Sequence, residues 1–195
     1  MDRCAAVLAL FRELAVAETD LVRLATEMDT RLSRDMEIED FVTVILADFA
    51  PGEVRVVNCG HHPPVKIAAD SAELQLLTAG QSAPPLGLHP RPVRQDIPLG
   101  PGDRLLFYTD GLVEARNHQG RFFDLSQPPV TAALAEPDLD VAVRQLVGLL
   151  LEHAGGRLGD DVLLVLGEPG VTEGGREHFR GGKGVALTGG HENSQ

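Results

Sequence analysis

Cysteine is scarce in this chain and tryptophan is absent. Cys4 and Cys59, the only cysteines among 195 residues, stand far apart. They offer neither a disulfide framework nor a CxxC metal site, and the usage fits a reducing cytosol. Basic residues are outnumbered, 17 Lys and Arg against 29 Asp and Glu, for a formal charge of -12. That balance disfavours nucleic acid or an anionic membrane surface as the main partner, and the excess acid suits cations. Long apolar runs are missing as well. The opening stretch MDRCAAVLALFRELAVAE is broken by Arg12 and Glu13 and is too short to span a bilayer. It also lacks the basic region and small-residue cleavage site of a signal peptide. The expectation is a cytoplasmic protein with no membrane segment. A 43% apolar content over this length suits one domain with a substantial core.

Good helix formers fill 5–17, with no cap before them. A second helix is predicted from 19 or 20 to 33, where Leu21, Leu24, Met28 and Leu32 form a stripe at three- and four-residue spacing. The run FVTVILADF over 41–49 and VRVVN over 54–58 flank Pro51-Gly52 and read as a hairpin of buried strands. Shorter strands are expected at 65–68, 74–77 and 93–98, and another at 104–109 that delivers Asp110-Gly111 at its end. A helix follows near 129–135 and a firmer one over 138–153, with Leu139, Val143, Leu146 and Leu150 on one face. Gly159-Asp160-Asp161 leads into a last strand, VLLVL at 162–166. Beyond Pro169 the glycine-rich composition predicts a disordered tail, placing the domain at 1–168 and the tail at 169–195. This order of elements predicts an α+β fold with mainly antiparallel sheets.

Two carboxylates combine a strand end with a neighbouring glycine, Asp110 in YTDG and Asp160 in GDD. A carboxylate on a rigid strand end is held in place, and glycine lets backbone or an ion approach closely. Taken singly, each also fits an ordinary turn.

The motifs FVTVILADF, NCGHHPPV, APPLGL, LGPGDRLLFYTDGLVEARN and GDDVLLVL occur in this order. In order and spacing the chain resembles the SpoIIE/RsbU branch of PPM-type, metal-dependent serine/threonine phosphatases over about residues 5–168. The resemblance implies an α-β-β-α sandwich with two or more Mn²⁺ or Mg²⁺ ions in an acidic cleft. It further implies attack of a metal-bound hydroxide on phosphoserine or phosphothreonine. Asp110 matches a metal ligand in the family's TDG motif, and Asp160 matches the first acid of its terminal DD or DN motif. Gly111, Asp161, His61 and Arg116 are the positions left beside metal or substrate. The implied substrate is a phosphorylated bacterial signalling protein, an anti-sigma factor antagonist of the partner-switching type.

The family opens with two strands bearing GDxxD-like and DVxGHG motifs, and this chain contains neither. The fold is therefore expected to lack its first strands. Three explanations stand side by side: a start placed too late or a gene fragment, a partner that supplies the strands, or a catalytically dead phosphatase-like domain kept for interaction. His61 and His62 with Cys59 match no zinc spacing and read as a structural turn, in which Asn58 pairs with backbone. Arg116 either meets a substrate phosphate or is an arginine at the surface or paired with Glu114. Ser82 lacks the glycines of a nucleophile elbow, and Gly182-Lys183 lacks the frame of a P-loop.

Overall fold

The computed structural model describes residues 3–35, 41–71, 73–78, 83–171, 177–181 and 185–187. Along the chain lie α1 (Arg3–Leu14), α2 (Leu21–Asp35), β1 (Val44–Ala50), β2 (Glu53–Cys59), β3 (Val65–Ile67), β4 (Leu74–Leu76), β5 (Arg94–Pro98) and β6 (Arg104–Tyr108). Then come α3 (Asp110–Val113), α4 (Pro128–Leu134), α5 (Leu139–His153), β7 (Val162–Val171), β8 (Glu177–Gly181) and β9 (Val185–Leu187). This is the α+β order the sequence predicts, and every strand ladder among the described residues is antiparallel. Contacts gather the chain into two units: Met1–His61 with Thr78–Pro98, and His62–Leu77 with Leu99–Gln195. No described helix is long and apolar enough to cross a membrane.

The first unit carries the sheet β1-β2-β5. Asp20 starts α2, its Oδ1 accepting from the amides of Val22 and Arg23 at 2.9 Å each. Those bonds, the Arg23 amide foremost, hold the Asp20 carboxyl below its ordinary range. The stripe on α2 then packs as its spacing requires: Leu21, Leu24, Ala25 and Met28 are buried against Leu46, Val57 and Leu86. Each large side chain so buried contributes about 1.5–3 kcal/mol. Pro51-Gly52 closes the β1–β2 hairpin beside the Ala50–Glu53 pair, and Gly52 takes the left-handed φ of +73° that the turn needs. The buried Asp29 ties α2 to the loop at Gly87, whose amide it accepts at 2.7 Å.

The second unit orders its sheet β4-β3-β6-β7-β8, with β9 also on β7. Strand β6 is central, and Leu105 and Leu106 are buried. Helix α5 is capped by Asp138, which accepts from Asp140 and Val141. It buries Ala142, Val143, Leu146 and Leu150 against Leu106, Leu164 and Leu166. The two ends of β6 are treated differently. At its start, Arg104 is buried and donates to the carbonyls of Leu134, Glu136 and Pro137 and to Glu168. Beside it, Asp103 lies 2.7 Å from Lys66 and accepts from the amides of Gly100 and Ala69.

Two elements differ from expectation. The single turn α3, closed by Glu114 N donating to Asp110 O at 2.8 Å, is too short to carry a periodicity of its own. Strand β7 runs past Leu166 to Val171 and pairs with β8 and β9, inside the stretch assigned to a tail. Those strands gain order from ladder bonds to β7 that glycine-rich composition does not encode. Ser82 and Gly182-Lys183 lie outside the described residues.

Candidate functional site

Strands β6 and β7 pair with Tyr108 opposite Leu164, so the loop leaving one meets the loop that leads into the other. Thr109 fastens them. Its amide donates to Leu163 O at 3.1 Å, and its hydroxyl accepts from Leu163 N at 2.9 Å and donates to Asp161 O at 3.0 Å. Asp110 follows as the first residue of α3, and its Oδ1 accepts from Gly111 N at 2.9 Å. Asp160 is oriented in the same way, its Oδ1 accepting from Asp161 N at 2.7 Å. Both side chains are exposed. A Cβ on Gly111 would come within 2.5 Å of the Asp161 carbonyl, so the glycine of YTDG is required by the close approach of the two loops.

A cleft of about 360 Å³ opens here, lined by Gly111, Glu114, Arg116, Arg157, Gly159 and Asp160 among others. Arg116 is positioned by a small hairpin. Asn117 Oδ1 accepts from the amides of Gln119 and Arg121, Gly120 turns with φ of +75°, and Arg116 bridges to Phe122. The Arg116 guanidinium carbon sits 4.0 Å from the centroid of the Phe122 ring, a cation–π contact, and Nη1 donates to Gly120 O at 3.3 Å. Helix α5 braces the hairpin: the His153 ring lies edge-on to Phe123 at 5.4 Å, and its Nε2 is 2.9 Å from Arg121 O. Of the alternatives for Arg116, the surface position holds and the pair with Glu114 does not form: the side chain is exposed, and the ring of Phe122 and the Gly120 carbonyl hold the guanidinium.

Of the other predicted positions, Asp161 lends its backbone carbonyl to Thr109, and its side chain is exposed. His61 belongs to the first unit, where its amide donates to Asn58 Oδ1 and its carbonyl accepts from Asn58 Nδ2, both at 2.9 Å. Gly60 in the same turn has φ of +73° and no room for a Cβ against Pro85. Cys59 is buried, and burial, with the charge of Asp29, pushes its thiol up to about 11, far from a thiolate ligand. Arg157 and Phe122 escape sequence reasoning. Arg157 follows the Gly155-Gly156 stop of α5 and precedes Asp160 by three residues, a closeness that only the loop's path turns into a shared cleft.

Carboxylate oxygens suit Mn²⁺ or Mg²⁺, and Asp110 and Asp160 supply two such groups. Among the described residues, however, no group of three or more His, Cys, Asp or Glu side chains could hold an ion. The described residues therefore do not fit a two-metal centre by themselves.

The family model described as Stage II sporulation protein E (SpoIIE) matches residues 3–168. Protein IcfG of Synechocystis sp. (strain ATCC 27184 / PCC 6803 / Kazusa) is 24% identical over 161 residues, 79% of this chain and 24% of its own length. The chain thus spans about a quarter of that relative. The RsbU and RsbW domains of Rv1364c from Mycobacterium tuberculosis superpose with a TM-score of 0.61 at 28% identity, covering 83% of this chain and 45% of that one. The PP2C phosphatase domain of SpoIIE from Bacillus subtilis, with a fragment of its regulatory domain, gives a TM-score of 0.67 at 15% identity, covering 83% and 48%. The catalytic domain of the phosphatase PstP in complex with 2 manganese ions gives 0.55 at 17%, covering 82% and 77%. These last two likenesses attest the fold.

Proposed function

Because the chain belongs to the SpoIIE family, we propose that its residues 1–168 carry a metal-dependent phosphatase domain acting on phosphoserine or phosphothreonine in a bacterial signalling protein. The substrate type we favour is an anti-sigma factor antagonist. The likeness to a chain that joins an RsbU to an RsbW domain supports that partner-switching setting. The observation that carries the proposal is the fastening of Asp110 and Asp160 at the ends of neighbouring strands through Thr109 and Gly111. In this reading the two carboxylates are part of the ligand set for Mn²⁺ or Mg²⁺, and the remaining ligands come from outside the described residues. Arg116 and Arg157 face the same cleft, and guanidinium donors suit phosphoryl oxygens.

A second reading is a phosphatase-like interaction domain without catalysis. It is favoured by the shortage of metal ligands among the described residues. Phosphate release from a phosphoserine peptide, measured with and without Mn²⁺ and with Asp110→Asn and Asp160→Asn, separates the two. Release that needs both the ion and the acids supports the phosphatase. No release, together with no calorimetric Mn²⁺ binding, transfers the scaffold to the second reading.

A further inference from the structure

The hairpin that carries Arg116 has a second side. Phe122, on whose ring the guanidinium rests, also lines a separate groove of about 420 Å³ with Val65, Leu74, Leu76, Tyr108 and Val113. The groove is mostly apolar, yet it is not closed: Leu76 is 55% and Phe122 51% exposed. Isolated apolar side chains on a surface need no explanation, but two of them walling a concave site beside an arginine-lined cleft do. Its rim is polar and fixed, with Asp124 accepting from both the amide and the hydroxyl of Ser126. The Arg116–Phe122 stack is thus a partition, with the cleft beside Asp160 on one side and the groove on the other.

We propose that this groove receives a large apolar side chain flanking the phosphorylated residue of the protein substrate, so that Phe122 determines specificity while Arg116 meets the phosphate. The proposal rests on the phosphatase reading for what occupies the cleft. Continuity supplies the occupant: one peptide reaching across a single cross-strand pair places a charged group over the guanidinium and its neighbour against the ring. The groove has room for a leucine- or phenylalanine-sized side chain, and desolvating one such group against the ring and Leu76 is worth about a tenfold gain in affinity.

The test is fluorescence anisotropy with the full chain and labelled nonapeptides carrying one central serine, phosphorylated or not, flanked on both sides by leucine or by glutamine. The phosphorylated leucine peptide should bind about tenfold tighter than its glutamine counterpart. Phe122→Ser and, elsewhere in the lining, Leu76→Gln should each erase most of that ratio; both side chains are half exposed, so neither variant threatens the fold. Equal affinity for the two phosphopeptides, or no measurable binding of either, overturns the proposal. A leucine preference that persists without any dependence on phosphate overturns the placement of the phosphate on Arg116, and phosphate release with Mn²⁺ tests the phosphatase reading by itself, so the two can fail separately.

Discussion

The two ends of β6 put acids to opposite uses. At the start of the strand Asp103 is enclosed by an ammonium and two amides, and its neighbour Arg104 is saturated by three carbonyls and a carboxylate. At the far end Asp110 accepts one bond from the adjacent amide and points into solvent, as Asp160 does across the way. An acid whose lone pairs are filled by the fold stabilises it; an acid oriented by one amide and otherwise open is placed to bind something else. The fold thus sorts its carboxylates by how completely it satisfies them.

The sharpest break of this contrast is at Arg104. Arg104→Ala should cost about 3 kcal/mol in urea unfolding, since it removes the donor from the buried Leu134 carbonyl and from the part-buried Glu136 and Pro137 carbonyls and Glu168 carboxylate. Next comes Gly111→Ala, which forces a methyl group against the Asp161 carbonyl. A loss of about 1–3 kcal/mol is expected, with phosphate release falling alongside it because the Asp160 loop must move. Asp103→Asn should cost about 1–2 kcal/mol at neutral pH, and its effect depends on pH. Burial raises the Asp103 carboxyl, but the Lys66 ammonium and the Gly100 and Ala69 amides outweigh it and leave it below the ordinary 3.8. Its contribution is therefore fully present above pH 3.8 and is lost as pH falls through the lower folded value, so the difference between wild type and variant should shrink in acid. The smallest effect on stability belongs to Asp110→Asn, within about 0.5 kcal/mol by the same unfolding measurement. If that variant proved as costly as Asp103→Asn, the division between the two ends would collapse.

Much of the scaffold was legible because it is local. The Pro51-Gly52 turn between apolar runs, the Leu21, Leu24 and Met28 stripe and the face of α5 all declare themselves within a few residues, and each is found where its spacing puts it. YTDG and GDD stood out for their glycines, although nothing in their spacing of fifty residues could show that Thr109 bonds Asp161. The role of Arg104 is not legible in the sequence, since its partners lie thirty or more residues away. Phe122 is likewise one of two adjacent phenylalanines. Only the cross-strand bridge to Arg116 separates its role from that of Phe123, which is buried beneath it.

Thr109 gives the paired loops a clock. A hydroxyl has a single hydrogen, and because this one accepts from Leu163 N its own proton is directed to Asp161 O. The Leu163 amide is consequently protected from solvent exchange by a side chain and not by the ladder. In deuterated buffer its exchange rate reports how often the two acid-bearing loops part while the rest of the sheet stays shut. Exchange at Val165, two residues along and opposite Phe107 in the ladder, would keep time for the sheet itself.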